Sequence, residues 1–137
     1  MTLDNFTIKA QETVQEAMNI TQRAGQQTLE PTHLLKGLLT KAKDITTFLF
    51  QKTGVNGAHV EQLVDSELSH QPRVQGGQPY LSNDTNMVLV KAEEISKKMG
   101  DEFVSVEPII LALLSVDCTA SRILKDAGMN EKDTRKA

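Results

Sequence analysis

Three sets of side chains in this sequence have the types that chemistry needs: His33, His59 and His70 as metal ligands, Cys118 as a nucleophile, and Asp101, Glu102 and Glu107 as acid–base carboxylates. A zinc site requires His, Cys or carboxylate ligands at short recurring spacings. The three histidines are scattered and have no such spacing. A catalytic thiol requires a base and an electropositive setting. Cys118 is explained as a small residue at a helix start. The three carboxylates stand around one helix start, where general acid–base work is conceivable, but no pocket chemistry accompanies them. Neither G-x-x-x-x-G-K-[ST], G-x-S-x-G nor H-E-x-x-H occurs. The chain therefore reads as a binding module without a catalytic centre, a metal or a cofactor of its own.

Composition narrows what it binds. The 137 residues suffice for one domain or two very small ones, with 39% hydrophobic and 24% charged residues, as in a globular chain. Net charge is −3 and the closest approach to a basic cluster is Lys97-Lys98, so nucleic acid is not an expected partner. Ile109 to Leu114 is the longest apolar run, far too short to span a bilayer, and Met1-Thr-Leu-Asp-Asn does not open a signal peptide. A single cysteine excludes an intramolecular disulfide and fits a reducing, cytoplasmic compartment.

The elements that position these residues come in two copies. Shifting the chain by 75 residues sets Gly25 on Gly100, Phe6 on Leu81, Thr7 on Ser82, Ala17 on Ala92, Leu29 on Val104 and Leu34-Leu35 on Ile109-Ile110. With one residue dropped, Leu49-Phe50 falls on Ile123-Leu124 and Gly54 on Gly128. Apolar residues three and four apart (Ala10, Val14, Ala17, Ile20, Ala24) predict a helix that Thr7 caps and Gly25 ends. Helices follow from Pro31, from about 44 to 53 and from about 56 to 69. The second copy repeats the set, capped by Ser82, Ser105 and Asn130, with a last helix that is short. The fold expected is all-α: two pseudo-symmetric four-helix repeats over residues 1–70 and 81–137, joined by a Gly/Pro/Gln-rich linker at 71–80. Phe103-Val104 is the one stretch that could be extended.

Comparing the copies suggests a surface. Glu12 corresponds to Met87, Gln15 to Val90, His33 to Pro108 and Lys36 to Leu111. If the polar member of each pair faces water, the apolar member of the second copy does too. Ile109 to Leu114 is moreover apolar all around its helix, more than one core face absorbs. Met87, Val90, Pro108 and Leu111 are then expected to line an apolar groove for extended polypeptide, or else to pack between the copies. On the groove reading Leu111 is exposed and Leu111→Lys leaves the fold intact.

Phe6-Thr-x-Lys-Ala-Gln-Glu, Leu29-Glu-Pro-Thr-His-Leu-Leu and Gly100-Asp-Glu-Phe-Val-Ser-Val-Glu107, in that order, resemble the Clp N-terminal domain family over essentially the whole chain, and most of all its protein-disaggregase branch. The resemblance implies two pseudo-symmetric helical repeats. It also implies a longer parent protein with ATP- and Mg-dependent rings, a homohexamer that works with a DnaK-type chaperone system. This domain would then be a monomeric module, with no ATPase activity, that hands unfolded or aggregated polypeptide to the hexamer pore. Thr7, Asp101 and Glu107 match the family's polar substrate-binding positions; each also has a structural explanation, as an N-cap, a turn residue and a first-turn acid. Pro108 and Leu111 fall where the family's apolar groove is lined. The adaptor-docking N-domain of a protease unfoldase is the alternative. There, Glu at both corresponding helix starts suits phosphorylated arginine, whereas this chain has Thr32 at the first and Glu107 only at the second.

Overall fold

The computed structural model describes residues 2–74 and 77–136; Gln75 and Gly76, inside the expected linker, lie outside the described residues. The order is α1 (Ile8–Arg23), β1 (Thr28–Leu29), α2 (Pro31–Lys41), α3 (Lys43–Thr53), α4 (Gly57–Ser69), β2 (Tyr80–Leu81), α5 (Asn83–Lys98), α6 (Val106–Ser115), α7 (Thr119–Asp126) and α8 (Glu131–Lys136). The all-α expectation of four helices per repeat holds, with one two-residue parallel strand pair added.

Local chemistry sets the boundaries. The hydroxyls of Thr7 and Ser82 accept from the Ala10 and Thr85 amides at 3.2 and 3.1 Å, so equivalent residues cap equivalent helices. Asn130 Oδ1 caps α8 by accepting from the Asp133 amide at 2.8 Å. Ser105 occupies the N-cap of α6 without a side-chain capping bond. Gly25 and Gly100, at φ of 67° and 78°, end α1 and α5 in the left-handed region that side chains with a Cβ avoid.

The repeats clasp each other through their extended residues. Leu29 of the first pairs with Leu81 of the second, and Val104 of the second forms a parallel bridge with Phe6 of the first. These contacts are the same contact seen twice, because Phe6 corresponds to Leu81 and Leu29 to Val104. The Thr7 amide donates to the Val104 carbonyl at 2.8 Å and the Ser82 amide to the Leu29 carbonyl at 3.1 Å. Phe6, Leu29 and Val104 are all buried. One core, including Leu34, Leu35, Leu38, Leu89, Ile109, Leu113 and Leu124, runs through both repeats.

Candidate functional site

Asp101, Glu107 and Thr7 lie around the Phe6–Val104 bridge. Asp101 and Glu107 are exposed on either side of Val104 in the chain, and half-buried Thr7 is tied to Val104 by its amide. The backbone dictates this: the left-handed turn at Gly100 is closed by the Asp101 amide on the Ser96 carbonyl at 3.0 Å, and α6 begins at Val106. Glu107 sits in the first turn of α6, whose positive dipole end a carboxylate complements. Ile8 and Phe103, exposed by 76% and 48%, stand beside Thr7 and Val104 in the chain. They are apolar where the other repeat has Asn83 and Thr28. That asymmetry is legible in the repeat, as Ile8 against Asn83 and Phe103 against Thr28.

The expected apolar groove is not assembled as one surface. Met87 and Val90 are exposed by 55% and 47%, and with Val116, Asn86, Lys91 and Glu94 they line a shallow apolar depression on α5. Leu111 and Pro108, however, are buried, which corrects the expectation that they are exposed. Leu111 keeps only 3% of its surface and reaches the floor of a separate cleft of about 210 Å³, lined also by Leu49, Met99, Glu107, Thr134 and Arg135. The whole run Ile109–Leu114 is buried because α6 is enclosed by α2, α5, α7 and α8.

The reason is visible in the first repeat. Lys36, the counterpart of Leu111, does not simply face water. Its side chain is only 22% exposed and pairs across to α4, with Glu61 at 3.1 Å and Asp65 at 2.9 Å. Burial opposes its charge, but the hydrogen bonds to the two carboxylates win and hold its pKa above the usual lysine value. In the second repeat Leu111 takes this place, lining a cleft with Thr134 and Arg135 of α8. Residue 135, the counterpart of Glu61, is an arginine that pairs along its own helix with Glu131 at 3.7 Å. His33, the counterpart of Pro108, is fully buried as well. A polar residue thus marked exposure at Glu12 and Gln15, which are exposed, and buried pairing at Lys36 and His33.

Among the described residues no group of His, Cys, Asp and Glu could hold a metal ion, and no helix is long and apolar enough to cross a membrane. Cys118 is buried at the start of α7, where its amide donates to the Ser121 Oγ at 3.0 Å. His59 and His70 stand apart on α4 and its C-cap. The arrangement offers carboxylates, a hydroxyl and exposed apolar side chains on α1, α5, the start of α6 and one bridge.

This fold is that of a domain built from two helical repeats, and the chain belongs to the Clp repeat (R) N-terminal domain family, whose model matches residues 5–127. Over all 137 residues it is 55% identical to the chaperone protein ClpB of Bacteroides thetaiotaomicron, of which it covers 16%. It is 46% identical over 132 residues to ClpB of Porphyromonas gingivalis, of which it covers 15%. The chain thus spans about a sixth of the length of these relatives. Among solved structures, the Hsp104 N-terminal domain from Candida albicans is similar, with a TM-score of 0.85, 24% identity, and coverage of 97% of this chain and 88% of that one. So is a ClpV N-domain in complex with a VipB peptide, with a TM-score of 0.80 at 17% identity and coverage of 98% and 84%. At those identities the two structures speak for the fold alone.

Proposed function

We propose that this domain is the polypeptide-binding N-domain of a ClpB-type disaggregase, engaging unfolded or aggregated chains and passing them to the pore of a hexameric, ATP- and Mg-dependent parent that works with a DnaK-type chaperone system. The observation that carries the reading is the collection of exposed Ile8, Met87, Val90, Met99 and Phe103 together with the exposed carboxylates Asp101 and Glu107. Scattered exposed apolar residues are ordinary, but here Met87 and Val90 share one depression on α5, Met99 and Glu107 line a second cleft, and Ile8 and Phe103 flank the Phe6–Val104 bridge. The apolar side chains take up client side chains non-specifically. Asp101, Glu107 and the Thr7 hydroxyl take hydrogen bonds from client amides and cations. Leu111 contributes through the Glu107 cleft that it lines, whereas buried Pro108 supports α6 from within. Burial of two or three client side chains supplies roughly 3–6 kcal/mol before ordering costs, which limits affinity to about tens of micromolar or weaker. Six tethered copies would compensate by avidity.

The adaptor-docking alternative makes the same surface meet a folded partner. A ClpV N-domain of this fold is known in complex with a VipB peptide, which is compatible with a peptide segment as the occupant. Fluorescence anisotropy with a labelled, permanently unfolded client separates the readings. The disaggregase reading expects saturable binding that weakens at least threefold in Asp101→Ala and Glu107→Ala. No binding of an unfolded chain, by a domain whose helical signal is intact, contradicts it.

A further inference from the structure

The turn between α1 and α2 holds a buried polar chain. His33 Nδ1 accepts from the Glu30 amide at 2.9 Å. The ring proton therefore sits on Nε2, which donates to Gln26 Oε1 at 2.6 Å. Gln26 Nε2 in turn donates to the Leu68 carbonyl in the last turn of α4, at 2.9 Å. Next to Gln26, the Gly25 carbonyl accepts from the Val74 amide at 2.8 Å. The turn thus grips the chain leaving the first repeat at two places, Leu68 and Val74. The second repeat has exposed Asp101 and buried Pro108 where the first has Gln26 and His33.

We infer that the Glu30–His33–Gln26 chain is a proton-sensitive latch on the segment that joins the repeats: neutral His33 holds Leu68–Val74 in place, and protonated His33 releases it. A second ring proton goes to Nδ1, where it faces the Glu30 amide hydrogen, donor against donor. The ring then turns away, and Gln26, only 6% exposed, loses the partner that aims its amide at Leu68.

The surroundings favour the neutral ring. From α1's turn it meets the neutral Gln26 amide, and through it the Leu68 carbonyl of α4. Glu67 and His70 flank Leu68, and the exposed His70 ring bonds the Ser66 carbonyl at 2.7 Å instead. Asp84, in the first turn of α5, is exposed. The Glu30 carboxylate attracts a protonated ring but is itself engaged by the Thr28 hydroxyl at 2.8 Å. Burial outweighs that attraction and lowers the His33 pKa from 6.5 to about 4. A released, hydrated ring regains the higher value, so the latch is fully closed above about pH 6.5 and is lost as pH falls toward 4.

Amide hydrogen exchange on the 137-residue chain, corrected for the intrinsic pH dependence of exchange, tests this. Between pH 7 and 4 the protection of the Gln71 amide, which donates to the Leu68 carbonyl at 3.3 Å, and of the Val74 amide should fall by up to about 100-fold, as the two pKa values set it. The amides of α5, α6 and α7 should keep theirs. In His33→Gln the same profile should be flat. Should that variant not fold, the wild-type imidazole nitrogens decide: a single Nε2–H tautomer down to about pH 5 supports the latch. Titration of His33 near 6.5, protection at Gln71 and Val74 that ignores pH, or loss of protection in all helices at once overturns it.

Discussion

Asp101 and Glu107 are exposed carboxylates that form no ion pair with another described residue, so their removal costs the fold little. Loss of the Glu107 interaction with the α6 dipole is worth about 0.5 kcal/mol, and loss of the Thr7 cap about 1 kcal/mol. Thermal melts of Asp101→Ala, Glu107→Ala and Thr7→Ala should therefore stay cooperative, with midpoints lowered by a few degrees at most. A variant of either carboxylate that is unfolded at room temperature would make it a structural residue. Leu111 behaves oppositely. Its burial at 3% means that Leu111→Ala should cost about 2–4 kcal/mol by urea denaturation, and Leu111→Lys at least as much. An undiminished midpoint in either would place Leu111 on the surface after all. The sequence made the polar positions readable because helix caps and first turns are local. It misled at Leu111 because Lys36 is held by Glu61 and Asp65, partners 25 and 29 residues away whose contact no local pattern announces.

At the scale of elements, α1 and α2 approach closely at Gly37, where an added Cβ would stand 2.6 Å from the Thr13 carbonyl oxygen and 3.2 Å from the Ala17 amide. Its counterpart in α6 is Ala112, fully buried against the equivalent pair of helices, so the second repeat spaces them to admit a methyl. Gly37→Ala should accordingly cost about 1–3 kcal/mol even though alanine is the better helix former, while Ala112→Gly loses helix propensity and a methyl contact. Gly37→Ala as stable as the parent in urea would show that α1 and α2 can part freely. Helix positions were legible because Thr7, Gly25, Pro31, Gly54, Ser82, Gly100 and Gly128 punctuate a clear helical period. The β1–β2 pairing was not. Two residues are too few for an alternating pattern, and their partners are about fifty residues apart.

On the scale of the whole molecule, the reciprocal pairing of Phe6 with Val104 and Leu29 with Leu81 makes two repeats one core, while the repeats differ both inside, at His33/Pro108, and on the surface, at Glu12/Met87 and Gln15/Val90. The first repeat spends its polar residues on interhelical pairs, as at Lys36 and His33; the second carries Met87, Val90, Met99 and Phe103 exposed. The proposed client surface is the second repeat with its bridge to Thr7 and Ile8, although Phe48 of the first repeat is also exposed. The most direct measurement is a ¹H–¹⁵N NMR titration of the domain with an unfolded client, repeated on Met87→Lys/Val90→Lys. Both residues are about half exposed, so the double variant should fold with a dispersed, parent-like spectrum. In the parent, fast-exchange shifts should cluster at Thr7–Ile8, Met87–Val90 and Asp101–Glu107, and in the double variant they should shrink sharply along α5. Shifts confined to α2, α3 and α4, or shifts at Met87–Val90 that survive both lysines undiminished, would contradict the account.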